Sequence, residues 1–196
     1  MKRVITAILP LFFPVLLNAQ MHGITHDVEF DLGYVKYHPV YVDTVKLQGP
    51  GLTVRYAMGI TKYLDLLASA SMSRGTDHRM IQDGLYVMRQ YNTESVEIGV
   101  RGHVQFLKRC YVQLSAQTGI MMSHLTDCYD LGVFTTGYRS NLSYNGSAGI
   151  GIRVTPVVAI SAYFKRHGHV GVIIHDNPQY DFSYNEWGLS LSCRIQ

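Results

Sequence analysis

Cysteine is scarce in this chain, and no two cysteines stand in a CxxC arrangement. Cys110, Cys128 and Cys193 are odd in number and widely spaced. They offer neither a disulfide framework nor a zinc-binding pair. Each reads as a small hydrophobe, with Cys128 expected in a loop. A long apolar run is also missing. After Leu17 nothing approaches the roughly 18 to 20 consecutive apolar residues of a membrane-crossing helix. Charge is sparse too: Asp, Glu, Lys and Arg make up 16% of the residues, against about 25% in ordinary globular domains. That leaves too few charges for strands solvated along a whole face. Lys+Arg number 17 against 14 Asp+Glu, with no basic stripe, which argues against a nucleic-acid partner.

The head of the chain has its own pattern. Lys2 and Arg3 precede the apolar stretch Val4 to Leu17, and Leu17-Asn18-Ala19 offers a small residue before Gln20. This is the layout of a secretory signal peptide. The stretch is too short to anchor in a bilayer, and Pro10 and Pro14 interrupt it. Residues 1–19 are therefore expected to be removed, leaving 20–196 as one β domain. That mature chain carries 15 Lys+Arg (17 less Lys2 and Arg3) against 14 acids, so it is nearly neutral.

What the chain has in abundance is alternation with a period of two. From Thr93 to Met121, Val96, Ile98, Val100 and Val104 alternate with Glu97, Gly99, Arg101, His103 and Gln105. After a basic turn, Val112, Leu114, Ala116 and Ile120 oppose Gln113, Ser115, Gln117 and Gly119. One greasy face and one polar face make an amphipathic β-hairpin. The same pattern predicts strands over 27–36, 51–60, 63–73, 142–154, 157–166 and 182–195, eight in all with the hairpin. Leu67 breaks it in the third strand. Turns at Thr61-Lys62, Leu107-Lys108-Arg109 and Thr155-Pro156 alternate with long loops over 38–50, 74–92, 122–141 and 167–181. The segments around the turns repeat weakly: G-I-T-K-Y-L-D-L, F-L-K-R-C-Y-V-Q-L and R-V-T-P-V-V-A-I.

Strands of about 10–14 residues exceed the mode of about 5–6 in soluble sheets and match the 9–11 needed to cross a bilayer on a tilt. Short turns alternating with long loops complete the signature of an eight-stranded antiparallel up-and-down transmembrane β-barrel. Both ends of the mature chain are then periplasmic. The structural rival is a soluble lipocalin-like barrel or sandwich. Its outer face would be rich in Lys and Glu, whereas the apolar faces here are almost free of charge. Tyr63, Tyr111, Tyr144, Phe182, Tyr184 and Trp187 lie near predicted strand ends, where aromatic girdles form.

The turn G-I-T-K-Y-L-D-L, the closing strand G-L-S-L-S-C-R-I and the Ala19-Gln20 cut resemble the small eight-stranded outer-membrane barrels, the OmpA-like transmembrane domain and the OmpX-like proteins. The resemblance covers about residues 21–196. It implies a Gram-negative cell outer membrane, contact with its lipid and lipopolysaccharide, a monomer, and a structural or adhesive role. Such barrels usually end on an aromatic residue, whereas this chain ends Arg194-Ile195-Gln196.

The polar face carries Glu29, Asp31, Arg55, Asp65, Glu97, Arg101, His103, Lys165, Glu186 and Arg194. In a barrel of eight strands, side chains can fill the interior, and these ten are expected to form a paired network there. Two other functions stay open. One is a narrow ion or proton path along the same residues. The other is a lipid-modifying enzyme, which needs a serine nucleophile, a histidine base and an acid. Ser123-His124 is adjacent and would point opposite ways; Asp77-His78 near Ser73 is too ordinary a grouping. His167, His169 and His175 flank the fourth loop and His78 and His124 sit in others; His167 and His169 would share a strand face, so both could bind a metal. No catalytic, cofactor-binding or metal-binding residue is assigned, and no cofactor is expected. A surface ligand is expected on the long loops, where Val170 to Ile174 is unusually apolar and either packs among the loops or extends strands 7 and 8 as a protruding edge.

Overall fold

Eight strands pair antiparallel in chain order and the last returns to the first. The computed structural model describes residues 24–39, 46–80, 86–129, 132–170 and 182–195. The strands are β1 (Thr25–Pro39), β2 (Gln48–Gly59), β3 (Leu64–Met80), β4 (Tyr86–Gln105), β5 (Cys110–Tyr129), β6 (Gly132–Arg153), β7 (Val158–Val170) and β8 (Phe182–Ile195). The sheet closes into a barrel, with β1 and β8 in register from His26 opposite Ile195 to Pro39 opposite Phe182. Closure satisfies both edges, the one way a sheet can lie in lipid.

The polar face of every strand points inward and the apolar face outward. Leu32, Ile98 and Leu114 stand 66%, 65% and 67% exposed at mid-strand, while Glu29, Asp31, Glu97 and Arg101 are buried. A protein turned inside out in this way needs an apolar solvent. Outward residues from Val96 to Val104 on β4 cover roughly 20 Å of height at a strand tilt of about 40°, most of the roughly 25 Å of an outer-membrane apolar band. Leu67 continues inward, buried opposite Gly99, so the alternation is unbroken and the lumen holds a leucine at that level.

The three short turns share one geometry. Ile60, Phe106 and Val154 donate their N–H groups to the carbonyls of Leu64, Cys110 and Val158; Thr61, Leu107 and Thr155 donate to the same three acceptors. The sequence repeat is thus one turn used three times. Its loop has four residues rather than the two expected at Thr61-Lys62 and Thr155-Pro156, because β2 ends at Gly59 and β3 starts at Leu64. Thr61 Oγ1 accepts from the N–H groups of Tyr63 and Leu64, and Thr155 Oγ1 from Val157 and Val158. Each hydroxyl replaces water for amides that have no ladder partner. The double variant Thr61→Ala with Thr155→Ala is expected to lose about 1–2 kcal/mol, at about 1 kcal/mol or less per turn, measured by urea unfolding in vesicles.

At the other end the expected loops are largely strand. β3 and β4 stay paired up to Met80 opposite Tyr86, and β5 and β6 up to Tyr129 opposite Gly132. Cys128 therefore lies in β5 opposite Val133, not in a loop. A register shift between Leu125 and Thr126 is a β-bulge, which bends the ribbon. The result is a sheet of β3 to β6 standing beyond the apolar band; the edge expected on strands 7 and 8 falls outside the described residues. Of Val170 to Ile174, only Val170 lies within the described residues.

Candidate functional site in the barrel lumen

Inward-pointing residues come from all eight strands and stack in three layers. The layer nearest the turns is ionic. Arg55 Nη1 donates to Glu29 Oε2 at 2.8 Å and its Nη2 to Asp31 Oδ2 at 2.8 Å. Arg101 Nε donates to Asp65 Oδ2 at 2.8 Å, and its Nη1 reaches Glu29 Oε1. Glu29 thus bridges two guanidinium groups, and charges of opposite sign alternate along the chain Asp31, Arg55, Glu29, Arg101, Asp65. His103 Nδ1 lies 3.3 Å from the same Asp65 carboxylate. Planar forks matched to carboxylates make strong pairs, and buried charges need them.

The middle layer holds two smaller groups. Lys165 Nζ pairs with Glu186 Oε2 at 2.7 Å and donates to Thr53 Oγ1 at 3.2 Å. The Tyr163 hydroxyl donates to Glu186 Oε1 at 2.5 Å. Gly33 and Gly188, partners across β1 and β8, make the room: a Cβ on Gly33 would sit 2.6 Å from Glu186 Oε1 and 2.7 Å from the Tyr163 oxygen. Across the lumen, Glu97 accepts from Ser143 at 2.9 Å and from Asn145 at 2.6 Å, and pairs with His167 Nε2 at 2.9 Å.

The third layer is apolar and plugs the end away from the turns. Val35, Tyr37, Leu47, Tyr91, Met121, Leu125 and Tyr184 form one buried cluster. Tyr37 meets Tyr91 edge to face at 5.1 Å and Tyr184 at 5.2 Å. Gly75 admits the Tyr37 ring, which a Cβ there would approach to 2.6 Å. The Tyr37 hydroxyl is anchored to Ser73 Oγ at 2.5 Å, and Ser73 to Thr93 at 2.6 Å. The His167 ring stacks on Tyr184, centroids 4.5 Å apart and 6° from parallel, joining this plug to the layer beneath. At the turn end the lumen opens instead into a cavity of about 280 Å³, lined by Asp65, Arg101, His103, Tyr111 and Arg153 among others. Arg194 closes on Asp27 at its rim, with contacts of 3.0 and 3.3 Å.

All ten residues picked from the polar face therefore point inward, and each has an ionic or hydrogen-bonding partner inside. The plug was not foreseen, and two girdle assignments are corrected by it. Tyr184 is buried in the lumen and Tyr111 lines the inner cavity, because each falls on the inward parity of its strand. Tyr34 and Phe164 take their places on the outside, flanking Trp187. The signal was present in Val35 and Tyr37, which continue the inward parity of strand 1 with apolar side chains.

The serine and histidine candidates do not converge. Ser123 is buried inside and His124 lies on the opposite face of β5. Ser73 is engaged by Tyr37 and Thr93. His167 and His169 do share the inward face of β7, with His167 held by Glu97. Among the described residues no three His, Cys, Asp or Glu side chains gather as metal donors; His175 lies outside them. Cys110 and Cys193 are free thiols.

No family model matches the chain, and no curated protein matches its sequence. Solved structures do. Neisserial surface protein A superposes with a TM-score of 0.64 at 11% identity, over 89% of this chain and 100% of the other. Ail, the attachment invasion locus protein of Yersinia pestis, superposes with a TM-score of 0.56 at 14% identity over the same shares, in a complex with the heparin analogue sucrose octasulfate. At these identities the likeness is one of fold, and the fold is that of the small eight-stranded outer-membrane β-barrels.

Proposed function

We propose that this chain is a non-enzymatic, non-conducting barrel of a Gram-negative outer membrane. In this reading the barrel acts as an envelope scaffold and presents the projecting β3 to β6 sheet for surface contacts. The observation that carries it is the layered lumen. Paired charges occupy two levels, and three tyrosines close the far end of the lumen. A proton or ion path would need mobile, hydrated carboxylates, whereas Glu29, Asp31 and Glu97 are immobilised by partners. The serine and histidine geometry supports the absence of acyl-transfer chemistry. The short turns face the periplasm, both termini lie there, and the barrel works as a monomer in contact with lipopolysaccharide. Residues 1–19 are the export signal, and Edman sequencing of the mature protein is expected to start at Gln20.

The test is conductance. The refolded protein in a planar bilayer is expected to give no steady open level. Replacing Tyr37, Tyr91 and Tyr184 together by alanine is expected to raise the frequency of transient steps. Stable unitary openings in the wild type would replace the scaffold by a channel. The surface reading is tested separately. Shortening β3–β4 and β5–β6 to the height of Met72 and Met122 is expected to abolish binding to host-type polyanions such as heparin, a class suggested by the Ail complex. Membrane insertion should be unchanged.

A further inference from the structure

The outer wall carries a feature that exists only because the barrel closes. On β1 the outward series Phe30, Leu32, Tyr34 ends at Lys36; on β7 Ile160, Ala162, Phe164 ends at Arg166; on β8 Leu191, Leu189, Trp187 ends at Asn185. Lys36 is the register partner of Asn185, and Asn185 is the partner of Arg166. The three therefore stand in one register row across the sheet, two cations flanking an amide. The Lys36 and Arg166 backbones are about 10 Å apart, two strand spacings, and both side chains are exposed. Directly beneath, Tyr34, Trp187 and Phe164 form the corresponding row, with ring centroids 6.3 and 6.0 Å apart. Rings in such a row mark the headgroup level of a bilayer, so the cations sit at the depth of lipid phosphates.

Among the described residues nothing on the wall neutralises them. Neither Lys36 nor Arg166 has an ion pair among the described residues, and the outward positions of β7, β8 and β1 hold no Asp or Glu there. Asn185 Oδ1 is buried with no partner, whereas its Nδ2 meets His38 Nε2 at 3.1 Å. Burial, then the charges of Lys36 and Arg166, hold the His38 imidazole below its ordinary pKa. That shift favours its uncharged, hydrogen-bonding form.

We infer that the Lys36–Asn185–Arg166 row, seated on the Tyr34–Trp187–Phe164 shelf, binds the phosphate of an outer-leaflet glycolipid of the lipid A type. The two cations converge on the phosphate from either side. His38, held by Asn185 Nδ2, supplies a hydrogen bond to the sugar, and the aromatic shelf packs the first methylenes of the acyl chains. The occupant is a membrane lipid rather than a soluble anion because the site is half built of rings that would otherwise face water. The inference rests on the proposed orientation, with the short turns in the periplasm.

The test uses the full mature chain refolded into phosphatidylcholine vesicles containing bisphosphorylated lipid A, dephosphorylated lipid A, or neither. Retention of each lipid is measured after extraction in mild detergent. Wild type is expected to retain the phosphorylated lipid selectively. Lys36→Ala and Arg166→Ala are each expected to weaken retention about fivefold, the effect of one basic side chain at an anionic surface. Lys62→Ala and Lys108→Ala, exposed in the short turns, are expected to leave it unchanged. Equal retention of the dephosphorylated lipid overturns the inference. So does competition by millimolar inorganic phosphate, which would make this a site for free anions. Loss of retention in Lys62→Ala or Lys108→Ala instead places the lipid at the opposite leaflet and reverses the orientation. Failure of the wild type to insert refutes the outer-membrane reading itself, a result visible before any lipid is measured.

Discussion

Replacing Arg55 by leucine is expected to lower the unfolding free energy of the barrel by about 3–5 kcal/mol, the cost of stripping one partner from a buried ion pair. The variant leaves Glu29 and Asp31 facing each other in a lumen with almost no exposed surface, 3% and 0% accessible. Arg101 still holds Glu29, but in the described residues Asp31 has no other ion-pair partner. Neutralising the carboxylates repairs the loss: Arg55→Leu combined with Glu29→Gln and Asp31→Asn is expected to recover more than half of it. The penalty is one of uncompensated charge rather than of lost attraction. Intact pairs contribute little net stability, because desolvation offsets their Coulomb energy. Urea titration in vesicles, followed by the mobility difference between unheated and boiled protein on gels, measures both. Equal midpoints for the single and triple variants would mean that water reaches this layer, and the non-conducting reading would go with it.

Leu32→Arg is the second large effect, expected at about 2–4 kcal/mol because an arginine at mid-height must leave water for hydrocarbon. Leu32 is 66% exposed and occupies the middle of the outward series on β1. The same substitution at Val104, beside the turns, is expected to cost about 0–1 kcal/mol, because the guanidinium there reaches the interface. A soluble barrel of identical shape predicts the opposite, with both changes neutral or favourable for solubility. The contrast between the two sites therefore reads the solvent directly. If Leu32→Arg unfolds at the wild-type urea concentration, the outer face is in water.

The sequence by itself determined which face of each strand is which, and where the short turns fall. Alternation has a period of two and a slip of one residue would invert every side chain, so Val96 to Val104 could belong only to one face. The bounds of the last strand, 182–195, agree with the structure to the residue. The ten polar-face residues were legible for the same reason.

Only the tertiary structure decided the rest. Beyond Met72, Thr93 and Met122 both faces of the strands are polar or mixed. No amphipathic contrast remained to announce β3 to β6, and cross-strand hydrogen bonding extends them. Partners inside the lumen are distant in sequence, Glu97 with His167 and Lys165 with Thr53, because a closed sheet makes neighbours of strands that never touch along the chain. Tyr184 shares the parity of Glu186, so its face was countable in the sequence; that it meets Tyr37 and His167 across the lumen was not. The row of Lys36, Asn185 and Arg166 has no sequence signal at all: three unremarkable residues become one cationic site when the register of that seam aligns them above a shelf of rings.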